Sequence, residues 1–314
     1  MHATKITVVG AGNVGATCAD VIAQKGFATE VVLLDIKKGL AEGKALDIWQ
    51  TASIASFDTK TVGSTGDYYK TKDSDVIIVT SGIPRKPGMS RDDLISTNAK
   101  IVKEVTEKSI EHSPNAIFIV VSNPLDVMTY AAYLAANVPS NRVFGMAGIL
   151  DIGRFKSFIS EAIGIAPRNI QALLLGGHGD TMVPLPRYTT VSGIPVTHFI
   201  SEEELTKIVE RTKMGGGEIV ELLGTSAWYA PGAAAAQMAE AVVKNENSIF
   251  PVCAYLNGEF GLRDIYLGVP VKLGREGVRK IIEIPLNEAE KALLYKSAEH
   301  VRVVMKVLDD MKMF

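Results

Sequence analysis

The chain has 314 residues, 47% of them hydrophobic and 22% charged, a balance that suits a soluble globular protein with a large core. A formal net charge of -2 without a long lysine or arginine run argues against nucleic-acid and membrane-surface partners. No apolar stretch approaches the roughly 18 residues needed to span a bilayer. In chain order, residues 6–9 read as a short buried strand ended by Gly10, and a helical pattern follows over 14–25. Residues 30–34 form a second strand, followed by a helix to about residue 51, and 58–62 look like a third strand. The runs 76–79 and 117–121 carry no polar alternation, so both of their faces should be covered, as in a parallel sheet with helices on each side. This repetition predicts a doubly wound α/β sheet of the Rossmann type over residues 1–145.

Residues 146–314 read differently and predict a C-terminal α+β domain for substrate and catalysis. A helix starts near Asp151, 170–175 is a strand, and 187–196 is a hairpin turning at Ser192-Gly193. Helices follow at about 202–223 and 226–244, then short strands over 249–284 and a last amphipathic helix within 287–312. The run Ala233 to Ala236 reads as a close helix-packing surface. Cys18 and Cys253 form neither a CxxC pair nor a zinc spacing and read as buried reduced thiols, with no metal expected. The chain passes from its N-terminus almost directly into a strand, so no leader and a cytoplasmic location are expected.

The first strand feeds Gly10-Ala11-Gly12-Asn13-Val14-Gly15 and then a helix. A bare GxGxxG is weak evidence; a strand before it, a helix after it and an acidic residue ending the next strand raise it to a dinucleotide signature. Gly10 permits the turn, Gly12 lets backbone N–H groups approach a pyrophosphate, and Gly15 lets the helix pack on the sheet. Asp35, 20 residues after Gly15, can accept hydrogen bonds from the adenosine ribose hydroxyls and would repel a 2′-phosphate, so the expected cofactor is NAD.

Hydride transfer from a secondary alcohol needs a base for the hydroxyl proton. Of five histidines, His2, His112, His198 and His300 sit at the terminus, at a helix end or on surface elements. His178 lies between glycines just beyond a buried strand, where a ligand has close access. Arg85 and Arg91 share a Pro/Gly-punctuated loop leaving the fourth strand, and Arg154 stands three residues after Asp151 on a helix start. Guanidinium forks bind planar carboxylates, so three arginines near one site suit a substrate with two carboxylates and a carbonyl.

Taken together, Gly10 to Gly15, Asp35, GIPRKPGMSRDDL (82–94), VVSNPLD (120–126), GMAGILDIGRF (145–155) and GGHGDTMVP (176–184) resemble the lactate/malate dehydrogenase family. The resemblance runs in order along nearly the whole chain and is closest to the bacterial malate dehydrogenases built like lactate dehydrogenase. It implies that His178 accepts the proton from malate, that Asp151 bonds its other ring nitrogen, and that Arg154 clamps the C1 carboxylate. By the same resemblance Arg91 polarises the carbonyl, Asn123 binds substrate and cofactor, and Asn98 with the backbone of Val121 contacts NAD. Arg85 would face the second carboxylate, where a lactate enzyme has Gln. The family assembles as dimers or tetramers, and the lactate-like branch favours a tetramer. Gly153 stands where the family often has Ala, and the 66–69 stretch looks one residue longer than in many relatives. Three alternatives stay open: a lactate dehydrogenase or broader 2-hydroxy acid dehydrogenase, an NAD-using glycosidase, and a non-catalytic NAD sensor.

Overall fold

A computed structural model of the protein describes residues 4–84 and 90–314; for Arg91 the description stops at the backbone. Six parallel strands form the first part of the sheet: β1 (Lys5–Val9), β2 (Glu30–Asp35), β3 (Lys60–Thr65), β4 (Val76–Val79), β5 (Ile117–Val120) and β6 (Val143–Gly145). Their spatial order is β3-β2-β1-β4-β5-β6, so the direction of winding reverses between β1 and β4. The connecting helices are α1 (Asn13–Lys25), α2 (Leu40–Gln50), the short α3 (Ala52–Ala55), α4 (Arg91–His112) and α5 (Leu125–Ala136). Every residue of β4 and β5 is buried, as the unbroken apolar runs require for strands covered on both faces.

The remainder begins with α6 (Gly148–Ile163) and four two-residue strands, β7 (Ile170–Gln171), β8 (Leu174–Leu175), β9 (Val183–Pro184) and β10 (Thr190–Val191). It continues through β11 (Ile194–Pro195), α7 (Glu202–Leu223), α8 (Tyr229–Val243), β12 (Ile249–Asn257), β13 (Arg263–Gly274), β14 (Gly277–Ile281) and α9 (Glu288–Asp310). Strands β12 to β14 are antiparallel and do not stand apart: β12 pairs with β6 at Cys253 and Gly145, so nine strands make one mixed sheet. The two parts also exchange covering helices. Helix α8 packs on α1 and on β4 and β5, while α5 packs on β13. Ala234, Ala235 and Ala236 are buried in α8, and a Cβ on Gly232 would fall 2.8 Å from the Thr17 side chain, so small residues set that close approach.

Several elements differ from their expected bounds. Strand β3 begins two residues after position 58 and runs on to Thr65, with Gly63 inside it; a Cβ there would lie 2.2 Å from the Glu42 backbone of α2. The expected strand over 170–175 is two strands in different sheets, β7 against β10 and β8 against β9. The hairpin pairs only 190–191 with 194–195, because residues 186–188 turn as a 3-10 helix; Ser192 and Gly193 both take positive φ in the turn. The helix expected from 226 starts at Tyr229. Both cysteines are buried free thiols. Among the described residues, no helix is long and apolar enough to cross a membrane.

Candidate active site

Among the described residues, Gly10 to Gly15, Asp35, Val121 and Asn123 lie at the carboxyl ends of the parallel strands, on either side of the β1/β4 reversal where open α/β sheets take their ligands. Gly10 follows β1 with φ +109°, and a Cβ on Gly15 would sit 1.8 Å from the Gly10 carbonyl oxygen. No other residue can occupy position 15 without moving the turn. Gly12 is the opposite case: a side chain there would meet nothing within 4 Å, which leaves the backbone open to an incoming phosphate. Asn13 and Val14 begin α1 directly behind it. The Asp35 carboxylate, at the end of β2, accepts a hydrogen bond from the Ala11 N–H at 2.7 Å and another from the Lys37 N–H at 2.8 Å. It thus fixes the glycine turn from the neighbouring strand.

Val121 continues β5, its N–H donating to the Val79 carbonyl at 2.8 Å, and Asn123 follows with an exposed side chain. Asn98, on α4, is buried behind them. Its Oδ1 accepts from the Ile83 N–H at 2.8 Å, and its Nδ2 donates to the Ile83 carbonyl at 3.2 Å and to the Asn123 carbonyl at 2.7 Å. The Asn98 amide therefore ties the segment leaving β4 to the segment leaving β5. Arg85 lies outside the described residues; Arg91 opens α4, and its side chain lies outside them too.

The other group is built by α6 and the turn after β8. Asp151 stands in the first turn of α6 and is 1% exposed. One carboxylate oxygen lies 2.8 Å from His178 Nδ1; the other accepts from Arg154 Nη1 at 3.1 Å. The carboxylate at Nδ1 holds the proton there in the neutral ring, which leaves Nε2 as the basic nitrogen. Burial of His178 opposes its protonation, but the charge and hydrogen bond of Asp151 outweigh it, helped by Asp126 and opposed by Arg154, and the net shift is upward from 6.5. The His178 side chain keeps 19% of its exposure, enough for contact with a ligand. The turn is fixed from behind, where Gly176 pairs with Gly268 of β13 at a spacing that only glycine allows: a Cβ on Gly268 would lie 2.3 Å from the Gly176 oxygen.

Arg154 has its Nε buried with no hydrogen-bond partner. It lines a cavity of about 460 Å³ together with Gly153, Gly215, Ala230, Ala233 and Gln237. Gly215 and Gly216 of α7 make room for it: a Cβ on Gly215 would touch the Arg154 chain at 3.2 Å. A larger cleft, about 680 Å³, lies at the opposite ends of the strands beside Thr4, Asp75 and Asn115 and holds none of these groups. Residues that the sequence alone did not single out are Asp126, which accepts from the His178 N–H at 3.1 Å, Ser297, which accepts from the Gly177 N–H at 2.9 Å, and the Gly215 to Gly217 run.

Comparison with known proteins agrees along the whole length. Residues 4–145 match the lactate/malate dehydrogenase NAD-binding domain and residues 149–310 the α/β C-terminal domain of that family. The chain is 64% identical to a malate dehydrogenase of Cytophaga hutchinsonii, over 97% of this chain and 98% of the relative. It superposes on the structure of malate dehydrogenase from Salinibacter ruber with a TM-score of 0.95 at 55% identity, covering 98% of this chain and 99% of the other. A lactate dehydrogenase from Cryptosporidium parvum, solved with lactic acid and NAD, superposes at 0.94 with 37% identity, again over 98% and 99%. Two family models that together cover residues 4–310, and relatives of this kind matched over nearly their full length, settle the question of kinship: the chain belongs to the lactate/malate dehydrogenase family.

Proposed function

We propose that this protein is an NAD-dependent malate dehydrogenase that interconverts (S)-malate and oxaloacetate. The observation that carries the reading is the single buried carboxylate of Asp151 bonded to both His178 and Arg154. Residues 1–145 serve the cofactor and 146–314 the substrate and the proton. Gly10, Ala11, Gly12, Asn13, Val14 and Gly15 hold the pyrophosphate, Asp35 the adenosine ribose, and Val121 and Asn123 the nicotinamide end. Asn98 supports that end through the Ile83 and Asn123 backbone it fixes. Bound NAD accepts the hydride released from the malate hydroxyl carbon.

Arg154 receives the substrate's C1 carboxylate; its guanidinium lines the cavity beside α6 and is held there by Asp151 through Nη1. His178 takes the hydroxyl proton on Nε2, and Asp151 stabilises the imidazolium that results. Oxaloacetate reduction runs the same proton back and requires His178 protonated. Arg91 polarises the carbonyl oxygen, and Asn123 hydrogen-bonds the substrate. Arg85 meets the second carboxylate, which pyruvate lacks, and on that residue rests the choice of malate over lactate. The protein works in the cytoplasm as a homo-oligomer, with a tetramer favoured over a dimer. Exposed apolar side chains on α2 and α3 (Leu46, Trp49, Ile54) and at the junction of α7 and α8 (Leu222, Leu223, Tyr229) support assembly.

The test is an NADH-absorbance assay with oxaloacetate, pyruvate and longer 2-oxo acids, which should show oxaloacetate strongly preferred. A preference for pyruvate would overturn the malate assignment, and no turnover of any 2-oxo acid would leave only a nucleotide-binding role. Arg85→Gln should lower kcat/KM for oxaloacetate by roughly 100-fold, the scale of a lost charge-paired contact, and raise that for pyruvate. An unchanged ratio of the two would remove Arg85 from substrate selection.

A further inference from the structure

His178 is gripped twice. Asp151 of α6 holds its ring. A second buried carboxylate, Asp126 in the first turn of α5, reaches its backbone: Oδ2 accepts the His178 N–H at 3.1 Å, from 52 positions away in the chain. The loop is pressed onto this carboxyl so closely that a Cβ on Gly177 would fall 3.2 Å from Asp126 Oδ2. The preceding N–H, of Gly177, donates to Ser297 of α9. Two consecutive amides are therefore pinned to two different helices, so the backbone that carries the imidazole cannot shift without breaking one of these bonds, while the ring itself is held by Asp151. Asp126 Oδ1 is buried with no partner apart from the Cys253 thiol, a weak donor.

We propose that Asp126 is a positioning residue for the reaction: it fixes the backbone of His178, and its negative charge works with that of Asp151 to keep the transferred proton on the imidazole. The proposal rests on the reading of His178 as proton acceptor. The groups around the pair are few. From α6 come Asp151 and Arg154, and from β12 the Cys253 thiol, which favours the charged form of Asp126. The α9 side chains against the turn are Ser297 and Val301, neither of which titrates, and Asp180 of the turn itself is exposed. Burial pushes Asp126 up to about 6, against the opposing pull of His178, so the carboxylate is charged at and above neutral pH. The nearby charge of Asp126 raises the proton affinity of His178. Removing that charge lowers it.

Two variants separate the backbone from the charge. Asp126→Asn keeps an oxygen to accept the His178 N–H and nearly the same volume, but loses the charge; Asp126→Ala loses both. In Asp126→Asn, His178 should titrate about 0.5–1 pH unit lower, read by NMR of ring-labelled histidine in the protein without ligands. The acid limb of malate oxidation should move down with it. In Asp126→Ala, kcat should fall roughly 10- to 100-fold in both directions, because the ring is no longer held at the attack position. An Asn variant whose His178 titrates with the parent overturns the charge role, and an Ala variant with parental kcat overturns the positioning role. If the Ala protein does not fold, the Asn titration decides. Should neither the parent nor the variants oxidise malate while the His178 titration still moves, the functional reading fails and the coupling of Asp126 to His178 stands.

Discussion

His178→Asn is expected to lower malate oxidation and oxaloacetate reduction by about 10³-fold, within the range lost when a positioned acid–base group is removed. Asparagine has a similar reach and no proton to exchange near neutral pH. It keeps the backbone N–H that Asp126 holds, so the turn after β8 should persist. NADH binding, followed by fluorescence, should be nearly unchanged because the glycine turn and Asp35 lie on other strands. Turnover at the parental rate would exclude His178 as the base. The parent enzyme supplies the companion result. Since Asp151 raises His178 above its usual 6.5, malate oxidation, which needs the neutral ring, should lose activity as pH falls through that raised value. Oxaloacetate reduction, which needs the charged ring, should lose activity as pH rises through the value in its own complex. The two profiles slope in opposite directions across the same group.

Arg154→Gln should lower kcat/KM for oxaloacetate by roughly 10³-fold, the order of about 4 kcal/mol for a buried charged partner of a carboxylate. The side chain is only 14% exposed, and glutamine carries neither its charge nor its fork of donors. Arg154→Lys should recover little of the loss, because a single ammonium does not reproduce the planar fork. The loss has a second component with a sign of its own. Arg154 holds the proton affinity of His178 down, so its removal should raise it and move the acid limb of malate oxidation to higher pH. A variant with unchanged KM and an unshifted limb would take Arg154 out of the site.

Much of this was legible before any coordinates. The all-apolar runs that became β4 and β5 announced a parallel sheet, since a strand with one wet face would alternate. Gly10 to Gly15 and His178 were legible because the chemistry demands particular residue types at particular places. Strand β6, only three residues long, left no period to read, and Ile170 to Leu175 looked continuous because the break at Ala172-Leu173 is set by β10 and β9, remote in sequence. Asp126 sat within a recognisable motif, but its bond goes to a backbone amide 52 residues away, and no pattern of side chains encodes that. Three successive glycines in α7 were a signal left unread. Each costs about 1 kcal/mol of helix stability relative to alanine, and the room that Gly215 and Gly216 leave for Arg154 accounts for two of them.

The helices traded across the sheet bear on how the molecule can deform. Because α8 covers strands of the first half, α5 covers β13 of the second, and β12 is laced to β6, no plane separates the part that would hold the nucleotide from the part that would hold the acid. A clamshell motion would have to shear the ladder and slide both helices at once. The interlaced packing therefore opposes a rigid-body hinge between the two parts. Neither half has a complete covering of its own, so the two should melt as one cooperative unit.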